Sequence, residues 1–254
     1  MAVLKNIPRL FCKKVKFIYV FYLKKIKMRE FSKKDLQLLY EIELNARTPR
    51  NRIAKKMKMS QQGLSYKIQQ FEEKKIILNY YTFIDYICFG YSGYKVLFTL
   101  QHGKKEQLDS FLKILKQHNS IISITELGGN YDYMVLFAQK NASRCIKEIH
   151  ILLLQYPQLI KSYSVLTNAA SYEFKRRYLT DSSSHTPSIV LGGDREQTSI
   201  DTLEIKILKT LCENPQLSYV KIAAKYKINP KTAIAKVRAL QTKGIIKGFP
   251  KAKK

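Results

Sequence analysis

Tryptophan is absent, glycine and proline number only 10 and 7, and 19 acidic residues face 46 lysines and arginines. The small share of glycine and proline excludes a collagen-like or low-complexity chain, and a 45% hydrophobic fraction with 17 Tyr and 12 Phe excludes disorder. The four cysteines, at 12, 88, 145 and 212, show no paired short spacing. That excludes a zinc knuckle or a disulfide framework and places the chain in a reducing cytoplasm. No apolar run reaches the roughly 18 residues needed to cross a bilayer. The nearest, Phe17 to Leu23, is short and flanked by lysines, and Lys24-Lys25-Ile26-Lys27 stands where a secretory signal would need small residues. His102, His118, His150 and His185 have no metal-ligand spacing, and neither a glycine-rich phosphate loop nor a nucleophile elbow occurs. No catalytic residue, metal site or cofactor is therefore expected, and the chain is read as a non-enzyme.

The charge carries more information. An AT-rich genome enriches lysine, but it would raise glutamate as well, so a formal charge of +27 points to a polyanionic partner. Residues 1–27 hold 8 basic and no acidic side chains, and residues 201–254 hold 13 and 3. The first 27 residues form a basic apolar extension with three open readings: a stretch translated ahead of a start at Met28, a membrane-surface anchor, or an arm on DNA.

With 254 residues the chain has room for two or three units. It contains an ungapped internal repeat at an offset of 169. Ile53-Ala54-Lys55-Lys56-Met57-Lys58-Met59-Ser60 aligns with Ile222-Ala223-Ala224-Lys225-Tyr226-Lys227-Ile228-Asn229. The same offset pairs Asp35 with Glu204, Leu39 with Leu208, Ile68 with Val237, Ile76-Ile77 with Ile245-Ile246 and Tyr80 with Phe249. Each copy reads as three short helices. In the first copy, Leu36, Leu39 and Ile42 form one face, a second helix opens at Thr48-Pro49, and a third is capped by Ser60, with Leu64, Ile68 and Phe71 inward. In the second, Asn229 caps a helix that has Pro230 at its first position. A short helix, a two-residue turn and an amphipathic helix make a helix-turn-helix, whose last helix enters the major groove.

With the apolar face inward, Ser60, Gln61, Gln62, Ser65, Tyr66 and Gln69 are the candidate DNA contacts of the first copy. Glutamine amides pair with adenine edges. Lys231, Thr232, Lys236 and Arg238 are the candidates of the second, suited to phosphates and to guanine. Ile234 and Ala235 stand where the first copy has Ser65 and Tyr66, so the copies are not expected to read the same sequence.

Between the copies the period changes. Tyr94–Gln101, Ile121–Leu127, Tyr131–Ala138 and Ile160–Leu166 read as strands, and Lys105–His118 and Ser143–Tyr156 as helices, with a turn at Gly128-Gly129-Asn130. The order βαββαβ is the ferredoxin-like split unit. Expected domains are the extension 1–27, a helix-turn-helix domain 28–90, a ferredoxin-like domain 91–176, a linker 177–199, and a second helix-turn-helix 200–254, truncated after its third helix. The fold class is α+β: a winged helix-turn-helix, a ferredoxin-like domain and a second helix-turn-helix.

Asp35-Leu36-Gln37-Leu38-Leu39, Arg47, Ile53-Ala54-Lys55-Lys56, Ser60 and Ile76-Ile77 before Tyr80, together with Gly128-Gly129-Asn130-Tyr131-Asp132-Tyr133, make residues 28–176 resemble the Lrp/AsnC family of prokaryotic transcription regulators. The repeat suggests a duplicated, archaeal-type form. Lys58 and Lys227 stand where the family has glycine, which implies a turn that is strained or differently shaped. The resemblance implies a DNA-binding regulator with double-stranded DNA as partner, a homodimer or higher homo-oligomer, and a pseudo-palindromic site. It also implies that 91–176 is a ligand-binding and dimerisation domain, with a small-molecule effector such as an amino acid near Gly128, Gly129, Tyr131 and Asp132, and no membrane partner. Two alternatives stay open. Sirohaem decarboxylases resemble the same arrangement but would have no use for a second helix-turn-helix or a basic tail, and a non-specific nucleic-acid-binding protein would show salt dependence without preference for one duplex.

Overall fold

The computed structural model describes the backbone of residues 17–20 and residues 31–44, 46–101, 105–174, 188–194, 196–249 and 251–253. The chain forms two compact units, one of Met1–Tyr22, Asp85–Ser171 and Val190–Thr198, the other of Leu23–Ile84, Tyr172–Ile189 and Ser199–Lys254.

In chain order the elements are β1 (Phe17–Val20), α1 (Lys33–Leu44), α2 (Arg50–Lys56), α3 (Gln61–Glu73), β2 (Ile77–Tyr80), β3 (Phe83–Ile84), a 3-10 turn (Tyr86–Phe89), β4 (Ser92–Leu100), α4 (Lys105–Gln117), β5 (Ile121–Glu126), β6 (Tyr133–Gln139), α5 (Ala142–Gln155), β7 (Ile160–Asn168), β8 (Ala170–Glu173), β9 (Ile189–Gly192), α6 (Thr202–Glu213), α7 (Tyr219–Tyr226), α8 (Pro230–Thr242), β10 (Ile246–Gly248) and β11 (Lys251–Lys253).

The first unit is the predicted βαββαβ sandwich. Its sheet runs β1-β5-β6-β4-β7, antiparallel except where β1 joins β5 in parallel. The four strands of the motif therefore lie in ferredoxin-like order. Alternation along the strands turns Val96, Phe98, Ile124, Val135 and Phe137 onto Phe111 and Leu115 of α4 and Ile149 and Leu152 of α5. At roughly 1.5–3 kcal/mol per buried side chain this apolar layer is the main stabiliser of the unit. Of the N-terminal extension, only Phe17–Val20 lies among the described residues, as the edge strand β1.

The second unit holds both copies of the repeat. Reciprocal caps open their first helices. Asp35 N–H donates to Ser32 Oγ (3.1 Å) and Ser32 N–H to Asp35 Oδ2 (3.2 Å), while Glu204 and Asp201, each 169 residues on, exchange the same bonds at 2.7 and 3.0 Å. The short helix α2 begins at Arg50 with Pro49 as its cap, one position later than the expected opening at Thr48. Proline, lacking an N–H, loses nothing at a helix start.

The wings depart from expectation. Within neither copy do the two strands after the third helix pair with each other. Instead β2 pairs with β11 and β3 with β10, so each copy's first strand meets the other's second. The register obeys the repeat. Ile84↔Ile246 and Ile77↔Lys253 are interchanged by the offset of 169, as are Phe83↔Gly248 and Asn79↔Ala252. The two copies are thus related by a pseudo-two-fold axis and locked by exchanged strands. The expected end of the second copy at its third helix is corrected by β10 and β11.

Three smaller corrections follow from backbone pairing. Strand β6 starts at Tyr133 rather than Tyr131, because Leu127 N–H bonds Asp132 O (2.7 Å) and keeps residues 128–132 in the turn. The segment expected as a linker contains β9, paired with β8; residues 175–187 fall outside the described set. In α1, Leu38 is fully buried and Leu36 only half so, which moves the inward face round the helix from the expected one.

Candidate nucleic-acid interface

Each recognition helix is set by a tight turn behind it. Lys58 and Lys227 adopt the left-handed conformation (φ 50° and 52°), and the residue after each returns its N–H to the preceding helix, Met59 to Ala54 O and Ile228 to Ala223 O, both at 3.0 Å. This is a helix C-cap that glycine normally fills, so the strain expected from the two lysines is present in both copies. The third helices then start at capped positions. Ser60 Oγ accepts from Gly63 N–H (3.0 Å) and Asn229 Oδ1 from Lys231 N–H (2.8 Å).

On α3 the apolar side Leu64, Ile68 and Phe71 is buried, leaving Gln61, Gln62, Tyr66 and Gln69 exposed and Ser65 half-buried. Tyr66 is 62% exposed on this face. Ser60 spends one acceptor on its cap, Gln69 donates to Glu73 (2.9 Å), and Ser65 accepts from Arg50 Nη1 (3.1 Å). Gln61 and Gln62 stand exposed at the N-terminal end of α3.

On α8 the buried side is Ala233, Val237 and Leu240, with Lys231, Thr232, Ala235 and Arg238 exposed. Lys236 is drawn elsewhere. Its ammonium bonds Asp201 and lies 3.8 Å from Glu204 Oε1, while Lys243 meets Glu204 Oε2 at 2.8 Å. The hydrogen bond to Asp201 raises the Lys236 pKa, so the charge persists but is committed to the first helix of its own copy. One repeat earlier, Lys67 lies 3.1 Å from Asp35, the counterpart of Glu204. Lys236 is therefore a structural ion-pair residue, with little left for a phosphate.

Sequence reasoning missed the cations of α2. Arg50, Arg52 and Lys55 are exposed beside the recognition helix, and Arg50 reaches it through Ser65. The signal was available: a run RNRIAKK with only Ile53 and Ala54 buried must turn its charges outward. Arg47, noted only as a motif position, joins the two copies. Its Nη1 donates to Pro215 O (2.6 Å), and its guanidinium lies 4.5 Å from the Tyr219 ring centre and 5.1 Å from that of Phe249. Ala46 N–H bonds Phe249 O at 2.8 Å. In the related position Tyr80 hydrogen-bonds Gln216 and Glu72. Burial first, and the Glu72 bond second, raise its pKa and keep it a neutral phenol.

The turn proposed for effector binding lies in the other unit. Gly128 and Gly129 face open space, Gly129 at φ 94°. Asp132 Oδ2 accepts from Leu100 N–H (2.7 Å), and Tyr131 Oη lies 3.5 Å from Ser164 Oγ. Asp132 thus closes the end of β4, which already employs one of its carboxylate oxygens. Among the described residues no cluster of His, Cys, Asp or Glu could hold a metal ion, and no helix is long and apolar enough to cross a membrane.

A family model for winged helix-turn-helix DNA-binding segments matches the chain twice, at residues 31–77 and 200–247. Comparison with curated proteins finds no sequence match. Among solved structures, an AsnC family transcriptional regulator from Agrobacterium tumefaciens superposes with a TM-score of 0.50 at 14% identity, over 57% of this chain and 95% of that one. The siroheme decarboxylase NirDL gives 0.52 at 16% identity, over 87% of this chain and 65% of its own. In complex with an iron-uroporphyrin III analogue it gives 0.51 at 14%, over 86% and 64%. The uncovered part of this chain is shorter than either helix-turn-helix segment, so the decarboxylase likeness enters both copies. The second copy therefore does not separate regulator from decarboxylase, contrary to the expectation from sequence. Two segments of the chain, related by the internal repeat, match the winged helix-turn-helix model, and the chain shares the fold of the AsnC family regulator.

Proposed function

We propose that the protein is a sequence-specific, double-stranded-DNA-binding transcription regulator. The observation that carries this reading is the pair of exposed polar helix faces, Gln61, Gln62 and Tyr66 on α3 and Lys231, Thr232 and Arg238 on α8, each set behind a capped turn. Such faces match base edges and phosphates, and a net charge of +27 supplies attraction to the backbone. In this reading the chain forms a homodimer or higher oligomer through the ferredoxin-like unit, as the resemblance implies, and responds to a small molecule such as an amino acid. The backbone amides of the open Gly128-Gly129 turn would take its carboxylate. Its ammonium would have to share Asp132 with Leu100 N–H or find Tyr131.

The test is selection from a randomised duplex library by the intact protein at about 0.15 M salt, followed by footprinting of the enriched site. Enrichment of a defined motif is expected. Uniform retention of all sequences, with steep salt dependence alone, would instead make it a non-specific nucleic-acid-binding protein. Adding the twenty amino acids one at a time to the bound complex reads out effector response as a change in Kd.

The decarboxylase reading rests on the extent of the NirDL likeness. It predicts a shift of the pigment's visible absorbance bands on incubation with the iron-uroporphyrin analogue, where a DNA-binding regulator would leave the pigment spectrum unchanged.

A further inference from the structure

Strand exchange places both recognition helices in one compact unit of one chain, joined about a pseudo-two-fold axis. Duplex DNA has local two-fold axes of its own, which is why paired helix-turn-helix units meet successive half-sites about one helical turn apart. Ordinarily such a pair comes from two identical chains, and the half-sites are then identical. Here the backbone obeys the two-fold relation while the reading faces do not. Gln61-Gln62 become Pro230-Lys231 under the offset, Tyr66 becomes Ala235, and Gln69 becomes Arg238.

We propose that a single chain reads both halves of one asymmetric duplex site, a half favouring adenine–thymine pairs under α3 and a half favouring guanine under α8. This rests on the DNA-binding reading above and deepens it.

Three observations support the assignment. Gln61 and Gln62 are exposed at the N-terminal end of α3, and a glutamine amide offers the donor and acceptor that adenine presents in the major groove. Arg238 is exposed two turns along α8, where a guanidinium can take guanine O6 and N7. Last, the copies are held as a built interface rather than tethered. Arg47 reaches from the first copy onto Pro215, Tyr219 and Phe249 of the second. Thr82 Oγ1 donates to Leu211 O (2.6 Å), Ala46 N–H to Phe249 O, and Phe249 is buried. A pair fixed in this way presents both helices to the duplex in one binding event, and its spacing is set by the protein.

The experiment is duplex selection with the intact protein and two variants, Gln61→Ala/Gln62→Ala and Arg238→Ala. All three positions are exposed, and retained folding is checked by circular dichroism. The expected result is an enriched motif with two unlike halves. The glutamine variant should flatten the preference in one half, and the arginine variant in the other, each by about 5- to 150-fold. A duplex carrying one copy of the motif should be sufficient for binding. A palindromic motif in which each variant weakens both halves equally would overturn the proposal, and so would a single half-site indifferent to Arg238. Failure of the intact protein to enrich any duplex would be a different result, because it removes the DNA-binding reading itself.

Discussion

Lys58 and Lys227 hold the same left-handed turn in both copies, and neither is glycine. A non-glycine residue there costs about 1–2 kcal/mol, whereas glycine costs about 0.5–1 kcal/mol more chain entropy than alanine, so relief exceeds loss. Lys58→Gly and Lys227→Gly should therefore each stabilise the helix-turn-helix unit by up to about 1 kcal/mol, read as a higher urea midpoint of tyrosine fluorescence. A lowered midpoint would show that the lysine side chains offset the strain. The other unit contains a hydrogen-bonded histidine–glutamate pair. His118 Nε2 lies 2.5 Å from Glu148 Oε2, and Gln139 Nε2 donates to Glu148 Oε1 at 3.0 Å. The hydrogen bond from His118 lowers the Glu148 pKa, more than partial burial raises it. A folded-state pKa below the unfolded value near 4.5 gives stability that is present above that value and lost as the pH falls through the depressed one. Glu148→Gln should accordingly lower Tm at pH 7 and converge on the wild type in acid. A Tm difference independent of pH would refute the assignment.

At the level of elements, the exchange of β2 and β3 with β11 and β10 makes each copy part of the other's fold. Phe249 concentrates that dependence. It is buried, faces Arg47 and returns its carbonyl to Ala46. Phe249→Ala should cost about 3–5 kcal/mol. The same change should speed hydrogen exchange at Ile77–Ile84, in the copy that does not contain it. Acceleration confined to residues 240–253 would mean that the strands are not coupled in this way. Deleting residues 200–254 would strip β2 and β3 of their partners, so the second copy is better probed at Arg238. The repeat, the helix caps at Ser60 and Asn229 and the βαββαβ order were all legible in the sequence, because each rests on local periodicity or capping chemistry. Exchange was not, since a strand's pattern shows which face is buried and not which strand lies alongside. One cue existed. The connections Tyr81-Thr82 and Phe249-Pro250 lack the Asn-Gly or Gly residues of a two-residue hairpin, so neither favours a wing closed on itself.

Across the whole molecule the excess of charge, easily read in the sequence, had to be sorted into ions that stabilise the fold and ions that meet a partner. Sequence pattern alone placed Lys236 with Arg238, because both leave the buried stripe. The structure separates them through Asp201 and Glu204, distant in helical geometry but 35 and 32 residues back in the chain. Arg52, Lys55, Lys231 and Arg238 are exposed on the two helix-turn-helix copies, whereas Lys67, Lys236 and Lys243 are tied to carboxylates. Each phosphate neutralised contributes about 0.9 to the slope of log K against log salt. Replacing Lys231 and Arg238 by alanine should reduce the slope by up to about 1.8, and replacing Arg52 and Lys55 by a similar amount. Lys236→Gln should leave the slope nearly unchanged while lowering Tm, because it opens the ion pair on α6. Measuring Kd from about 0.05 to 0.3 M salt checks all three together: a loss of slope in the Lys236 variant equal to that of the exposed pair would mean that its bond to Asp201 gives way when the duplex arrives.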